Sequence, residues 1–191
     1  MLVVVEGKSD KDFLSQYALY KKLKFDMISN DGNVLKSVVI KQMADAISSQ
    51  IRVCIVFDAD KSYKSTLNKL QSSLGILANK IDIFLFPNNK DNGELETLLT
   101  DIAKQPQFIK CFDNYIECVK SKDTNNNTIN NINKKSKMFS YREVSGLEKY
   151  LKKLKNDDKT PRNFLETNEV FSRYFNFDSP KLEPLRKFLC K

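Results

Sequence analysis

Two short apolar runs near the start of the chain each end in acidic residues. Val3–Val5 leads into Glu6, and Val53–Phe57 leads into Asp58 and, after one alanine, Asp60. Short, continuous apolar runs rich in β-branched residues are typical of strands buried on both faces, as in parallel sheets. Because ligands of open α/β sheets bind at the carboxyl ends of the strands, we expect the acids to gather at that edge if the two strands are neighbours.

Strand and helix patterns alternate along the first half of the chain. The strand patterns cover Val3–Val5, Phe25–Ile28, Arg52–Phe57 and Ile81–Phe86, and an amphipathic helix pattern follows each of the first three. This order predicts an α/β fold with a three-layer, Rossmann-like core, a mainly parallel sheet of about four strands and right-handed crossovers. Residues 1–100 are expected to form this core. Residues 101–191 are expected to form a helical C-terminal extension packed on it, with a flexible Asn-rich loop at 123–137.

The composition excludes several classes of site. The chain has no histidine, which removes His-based triads, His general bases and most zinc sites. Its 4 cysteines include no CxxC pair, so neither a zinc site nor a disulfide framework is expected, and Cys54 is interpreted as a small core residue. The net charge of +8 fits either a lysine-rich surface or attraction to polyanions, and charge alone leaves both open.

The sequence also bears on the cellular location. The first strand pattern begins almost at the first residue, which leaves no room for a signal peptide. No apolar stretch approaches the roughly 20 residues that a membrane span needs. We therefore expect a cytoplasmic protein without membrane contact.

The spacing of the acids is compatible with a metal site. Glu6 and Asp10 are separated by a predicted strand-to-helix turn, and Asp58 and Asp60 follow a strand end. Carboxylate oxygens suit Mg²⁺ or Mn²⁺, and two such ions about 4 Å apart activate water in phosphodiester cleavage. Either motif alone is better explained by helix capping or a solvated turn. Together, each after a buried strand, they favour a metal site.

These motifs together resemble the Toprim domain. That fold is shared by type IA and type II topoisomerases, bacterial primases, recombination-mediator proteins, ribosomal RNA maturases and overcoming-lysogenization-defect nucleases. The resemblance covers residues 1–100 and rests on Glu6-Gly7 with Asp10, followed by Asp58-Ala59-Asp60. The segment PNNKDNGELETLL, with the short C-terminal region, resembles more particularly small stand-alone bacterial Toprim proteins of uncharacterised function related to those nucleases.

The resemblance implies roles for individual residues. Catalytic roles would fall to Glu6, Asp58 and Asp60, with Glu6 as a metal ligand or proton shuttle. The implied ligands of Mg²⁺ or Mn²⁺ are Glu6, Asp10, Asp58, Asp60 and Glu96, with Glu94 competing with Glu96. A helix-N-terminal acid is the structural alternative for Glu94 and Glu96. Contacts to nucleic-acid phosphates would come from Lys8, Lys61 and Lys64, which are equally interpretable as ordinary surface lysines.

The implied function is Mg²⁺-dependent phosphodiester hydrolysis on DNA or RNA. The alternatives are a non-catalytic Toprim module that binds metal and nucleic acid or a partner protein, and a nucleotidyl transferase. The chain departs from maturases and topoisomerases because Lys61-Ser62-Tyr63 stands where a Gly-Glu usually follows the second aspartate. It also contains no GxxxxGK[ST] loop and no primase zinc-binding region. Strand passage and lone replicative priming are therefore not expected.

Overall fold

A single parallel sheet organises the amino-terminal part of the molecule. The computed structural model describes residues 1–122, 134–155 and 169–191. In these ranges four strands pair in the order β2-β1-β3-β4, all parallel. The strands are β1 (Leu2–Val5), β2 (Asp26–Ser29), β3 (Val53–Asp58) and β4 (Ile81–Phe86). The predicted α/β fold with a four-stranded parallel sheet is confirmed.

Helices cover both faces of the sheet and continue to the carboxyl terminus. The first four are α1 (Lys8–Lys21), α2 (Ser37–Ser48), α3 (Tyr63–Leu74) and α4 (Leu95–Asp101), with a 3-10 segment at Gly75–Lys80. The later ones are α5 (Pro106–Lys122), α6 (Lys134–Val144), α7 (Leu147–Lys155) and α8 (Glu183–Leu189). Short 3-10 turns occupy Phe171–Arg173 and Pro180–Leu182.

The two faces of the sheet bury alternate residues of each strand. Val3, Val5 and Cys54 belong to the apolar cluster that contains α1, α4 and the C-terminal segments. Val4 and Ile55 belong to a second cluster, formed with α2 and α3. Successive side chains of a strand point to opposite faces of the sheet. Strands that are buried on both faces, as the apolar runs predict, therefore contribute to both clusters. The sheet is the middle layer of three.

A glycine takes the cap position of α1. The helix begins at Lys8, and Gly7 precedes it as the N-cap. The Gly7 N–H donates to Asp10 Oδ2 at 2.9 Å, so the Asp10 carboxylate satisfies a backbone donor in front of the helix. Asp10 is therefore held at the strand-to-helix turn by a local hydrogen bond.

The described residues that follow α4 pack on α1 and α4. Phe175, Phe177 and Phe188 join the cluster on the α1 face of the sheet. The predicted flexible loop at 123–137 is wrong for residues 134–137, which form the first turn of α6, because Met138 and Tyr141 of this helix are buried against the same cluster. Residues 123–133 lie outside the described residues.

The described part of the chain contains neither a membrane-spanning helix nor a disulfide. Across residues 1–122, 134–155 and 169–191, no helix combines the length and apolarity needed to cross a membrane. Cys54 is buried within β3, as predicted, whereas Cys111, Cys118 and Cys190 are exposed, unpaired thiols. The cytoplasmic location stays a prediction.

A buried glutamine fixes the C-terminal segment to α1. Gln16 Oε1 accepts hydrogen bonds from the backbone N–H groups of Val170 and Phe171, at 2.6 and 2.8 Å. Gln16 is 1% exposed, so neither donor has ready access to water. The N–H groups would be left unsatisfied if the acceptor were removed, which makes Gln16 a structural connection between helix and tail.

We expect Gln16→Leu to lower the free energy of unfolding by at least about 2 kcal/mol. The substitution leaves two buried donors unsatisfied, and each costs roughly 1–3 kcal/mol. Chemical denaturation measures this change. Gln42→Leu, at an exposed position of α2, is the matched control and should change stability little. Equal effects of the two substitutions would contradict the connection described here.

Candidate functional site

Direct pairing of β1 with β3 places Glu6 beside Asp58. The register joins Leu2 to Val53 and Val5 to Val56, so Glu6 follows the last paired residue of β1 at the level of Phe57. The Asp58 N–H points to Glu6 Oε2 at 3.4 Å, a long hydrogen bond. The two acid motifs, which are far apart in sequence, therefore meet at the carboxyl edge of the sheet.

Asp58 is the most strongly perturbed acid of this edge. Its side chain is on the α1 face, where Oδ1 accepts from the Leu95 N–H of α4 at 2.8 Å, and the residue is only 9% exposed. Burial, followed by the negative charge of Asp10, raises the pKa of Asp58 from 3.8 to about 8, although the Leu95 hydrogen bond acts in the opposite direction. A carboxyl group in this state holds a proton at neutral pH unless a cation replaces it.

Asp10 and Glu6 share the same electrostatic environment. Asp10 is buried, and burial followed by the charges of Glu6 and Glu96 raises its pKa to about 6. The pKa of Glu6 is raised by burial and by the charges of Asp60 and Glu94, while the Asp58 N–H and the Lys135 ammonium lower it. Glu6 thus interacts with acids on both sides of the sheet edge.

Asp60 is placed differently from Asp58. Strand β3 ends at Asp58, and Asp60 is exposed with a left-handed backbone (φ 53°). Its N–H donates to the Gly93 carbonyl at 2.8 Å, and the Gly93 N–H returns a bond to the Asp60 carbonyl at 2.9 Å. The backbone of Asp60 therefore holds the β4–α4 loop, and only its side chain is available to a ligand.

The two glutamates between which the resemblance left a choice lie where the β4–α4 loop meets α4. Glu94 precedes α4 and Glu96 lies in its first turn. The charge of Glu96 raises the pKa values of Asp10 and Asp58, whereas the charge of Glu94 raises that of Glu6. Both glutamates therefore border the acids. We call the whole set the acid edge: Glu6, Asp10, Asp58, Asp60, Glu94 and Glu96.

Two asparagines hold this loop, and sequence reasoning missed them. Asn92 Oδ1 accepts from the Tyr63 N–H at the start of α3 (2.8 Å), and Asn89 Oδ1 accepts from the Leu85 N–H (3.0 Å). Asn and Gly at turn positions supply such hydrogen bonds and the left-handed backbone. The Asn-Gly composition of the loop was the signal that could have identified them.

The donor chemistry of the acid edge fits a hard divalent cation, but the side chains are not arranged around one. Carboxylate oxygens are the preferred ligands of Mg²⁺, and the described Lys and Arg side chains form no ion pair with Asp10 or Asp58. Across the described ranges, no group of three or more His, Cys, Asp or Glu side chains stands in a position to hold a metal ion. Coordination would therefore require rotation of these carboxylates.

A groove of about 690 Å³ opens beside the acid edge on the α3 side. Glu6, Asp58 and Asp60 line it, and so do Asn33, Lys69 and the hydroxyl side chains of α3. The sequence did not single out Lys69, because helix periodicity marks it only as an exposed residue. Its position in the groove identifies it as a cation beside the acids.

The three predicted phosphate contacts are all accessible. Lys61 and Lys64 are exposed near the start of α3, and Lys8 is exposed at the start of α1. Lys135 of α6, whose charge lowers the pKa of Glu6, was not predicted, because the sequence placed it in a loop. Exposed lysines therefore lie at or near the starts of α1 and α3, and the charge of one lysine of α6 reaches Glu6.

Asp58→Asn should change how stability depends on pH. Between 3.8 and about 8 the folded chain keeps the Asp58 proton while the unfolded chain releases it. The folded state then binds more protons, so the free energy of unfolding falls as pH rises through this window. Asn keeps the acceptor for Leu95 and removes the ionisation.

We therefore expect metal-free Asp58→Asn to be more stable than the unsubstituted protein at pH 8 by at least about 1.4 kcal/mol, the equivalent of one pKa unit. The advantage should shrink toward pH 5 in denaturation experiments. Asp45→Asn, at an exposed position of α2, is the control. A pH-independent difference would show that Asp58 ionises normally.

Gly93→Ala should displace the β4–α4 loop and with it the start of α4, where Glu94 and Glu96 lie. At Gly93, with φ 146°, an added Cβ would lie 2.9 Å from Thr97 Oγ1 and 3.0 Å from Pro87 Cδ. Gly32 has a similar φ of 139° but open space around the Cβ position, so Gly32→Ala imposes the same backbone strain without the collisions. We expect Gly93→Ala to lower the melting temperature more than Gly32→Ala does. Equal losses would mean that the loop adapts freely.

Comparisons with known proteins give a family and no activity. No curated protein matches the chain, and no solved structure does. The model of a family described as "Protein of unknown function (DUF3226)" matches residues 1–191. Because this match covers the whole chain, the protein belongs to the DUF3226 family.

Proposed function

We propose that this protein is a cytoplasmic, divalent-metal-dependent phosphodiesterase of the Toprim type that cleaves DNA or RNA. The observation that carries the proposal is the meeting of Glu6, Asp10 and Asp58 at the carboxyl edge of two neighbouring parallel strands. Two of these acids are buried. Buried acids without basic partners are unfavourable for folding, and a cation-dependent role would account for their presence.

The acid edge supplies the residues that would hold Mg²⁺ or Mn²⁺. Glu6, Asp10 and Asp58 would be ligands together with Glu96, for which Glu94 is the alternative, and Asp60 would contribute from the groove side. A bound cation would polarise a phosphoryl oxygen and lower the pKa of a bound water. The hydrogen bonds from Gly7 and Leu95 each occupy one carboxylate oxygen of Asp10 and Asp58 and orient those side chains.

Glu6 is suited to proton transfer. It is half-buried, and its pKa is raised by burial and by the charges of Asp60 and Glu94. A carboxylate with a raised pKa is a better base toward an attacking water, and its acid form is a competent donor to a leaving oxygen. In this proposal Glu6 either is a ligand of the cation or, where it is not, accepts the proton of the attacking water at one of its Oε atoms.

The residues that line the groove favour a polyanionic substrate. Hydroxyl and amide side chains line it beside the acids, and Lys69 lies on its wall. Exposed Lys61 and Lys64 extend the basic character to the start of the same helix. The net charge of +8 also favours the binding of a polyanion. A groove lined by acids and by Lys69 suits a phosphodiester whose backbone is held while one linkage is hydrolysed.

Cleavage assays with labelled single- and double-stranded DNA and RNA test the proposal. We expect products in the presence of Mn²⁺ or Mg²⁺, none with EDTA, and a loss of about 100-fold or more for Glu6→Gln, in the range of general acid–base contributions. Asp58→Asn should also abolish cleavage, while Asp45→Asn should not. Cleavage that survives substitution of both Glu6 and Asp58 would rule out this site.

A non-catalytic binding module is the second candidate. It is favoured by the finding that, among the described residues, no three potential ligand side chains stand in a metal-holding arrangement. Such a module would bind nucleic acid without turnover, and its affinity would fall steeply with salt. Salt-insensitive binding of another protein would indicate a docking role instead. Incorporation of nucleoside triphosphates into product would indicate a nucleotidyl transferase.

A further inference from the structure

A second cavity adjoins the groove along α3. It has a volume of about 330 Å³, and four of its lining residues also line the groove: Asp60, Ser65, Thr66 and Lys69. Beyond these shared residues the groove extends along α3 to Ser73, and the second cavity extends to Lys61, in front of the helix. The two cavities therefore meet at Asp60, one of the candidate acids, and continue from it in opposite directions along α3.

The polar residues of both cavities share one side of α3. Ser62 is the N-cap of the helix, and Ser65, Lys69 and Ser72 follow it at intervals of three, four and three residues. Residues at this spacing lie on the same face of a helix, and all four are exposed. We call them the α3 face. The two turns from Ser65 to Ser72 span roughly 10.5 Å, which is longer than one phosphate group.

The donors of these cavities are available to a ligand. Within the described ranges, the Lys61 and Lys69 side chains form no ion pair. The Ser65 and Ser72 hydroxyls likewise donate no hydrogen bond to a described residue. Ammonium and hydroxyl groups are the side-chain groups that bind phosphate oxygens along a nucleic-acid backbone.

Charge is divided between the two sources of lining residues. Helix α3 contains two lysines and no acid, whereas the acids come from the strand ends and the start of α4. Asp58 lines the groove, is only 9% exposed, and forms no ion pair with a described lysine or arginine. A buried carboxylate in this state favours a cation. With a cation there, both the acid edge and the α3 face are favourable for phosphate.

We infer that the α3 face and Lys61 bind the phosphates on either side of the linkage that the acid edge hydrolyses, so that the substrate is an internal stretch of a polynucleotide. The inference rests on the proposed function for the position of the cleaved linkage. No strand end is required, because the two cavities continue past Asp60 in both directions. Hydrolysis of one internal linkage consumes one water, breaks one P–O bond and leaves one phosphate end and one hydroxyl end.

Binding of labelled single- and double-stranded dodecamers of DNA and RNA, measured by fluorescence anisotropy in Ca²⁺ at several salt concentrations, tests the α3 face. Lys69→Gln should weaken binding. It should also lower the steepness of log K against log salt by roughly 0.7 on a single strand or roughly 0.9 on a duplex, the contribution of one phosphate contact. Lys41→Gln, at an exposed position of α2 outside both cavities, is the control. An affinity and salt dependence unchanged by Lys69→Gln, or no binding of any dodecamer, would overturn the inference.

Two further variants test whether the strand continues in both directions. Lys61 lines only the second cavity, and Ser72 lines only the groove. Lys61→Gln should lower the salt dependence as Lys69→Gln does. Ser72→Glu should weaken dodecamer binding at least about tenfold, because the added carboxylate lies beside a phosphate, whereas Ser48→Glu, at an exposed position of α2, should not. A loss for only one of the two positions would mean that the strand extends in one direction, and would overturn the inference.

A circular form of the nucleic acid that is cleaved when linear separates this inference from the proposed function. A circle has no strand end, so we expect it to be opened in Mn²⁺ as the linear form is cut. Cleavage of the linear form alone would overturn the inference and leave the phosphodiesterase standing. Cleavage of neither form, with binding that depends on Lys61, Lys69 and Ser72, would support the α3 face as a nucleic-acid-binding surface and refute the phosphodiesterase.

Discussion

The parallel pairing of β1 with β3 is the constraint on which the candidate site depends. It joins the first strand of the chain to the third, so the residues that follow both strands emerge at one edge, with Glu6 beside Asp58. Burial of both strands between two helical layers holds this register, because a shift of one residue would turn every apolar side chain to the opposite layer. The position of the acids is therefore a consequence of how the core packs.

Burial gives these acids their chemical character. Asp58 and Asp10 are packed near α1 and α4 with backbone N–H groups as their hydrogen-bond donors. Their pKa values are raised mainly by loss of solvent and then by the charges of neighbouring acids. A fold that retains such groups sacrifices stability at neutral pH. Perturbed pKa values cluster at functional sites, which adds to the geometric basis of the proposed function, the meeting of the acids at the sheet edge.

The C-terminal region packs on α1, the helix that carries Asp10 of the acid edge. Gln16 of α1 binds the backbone at Val170 and Phe171, and the aromatic residues that follow pack on α1. Helix α1 thus carries Asp10 at its start and the C-terminal segment along its side. The region after residue 100 is in this way connected to the acid edge through α1 and α4.

Local pattern was enough to predict the fold class and the strand ends at which Glu6 and Asp58 lie, because buried strands and amphipathic helices have different periods. Because successive side chains of a strand alternate between its two faces, the sequence could also have predicted that Glu6 and Asp58 point to different faces of the sheet. The sequence could not predict that Asp58 is buried while Asp60 is exposed. The burial of Asp58 depends on Leu95, which is 37 residues away in the chain. The charge of Lys135 near Glu6 and the position of Lys69 in the groove were likewise decided only by tertiary structure. Periodicity records which face of an element is apolar, whereas desolvation and charge depend on neighbours that only the folded chain brings together.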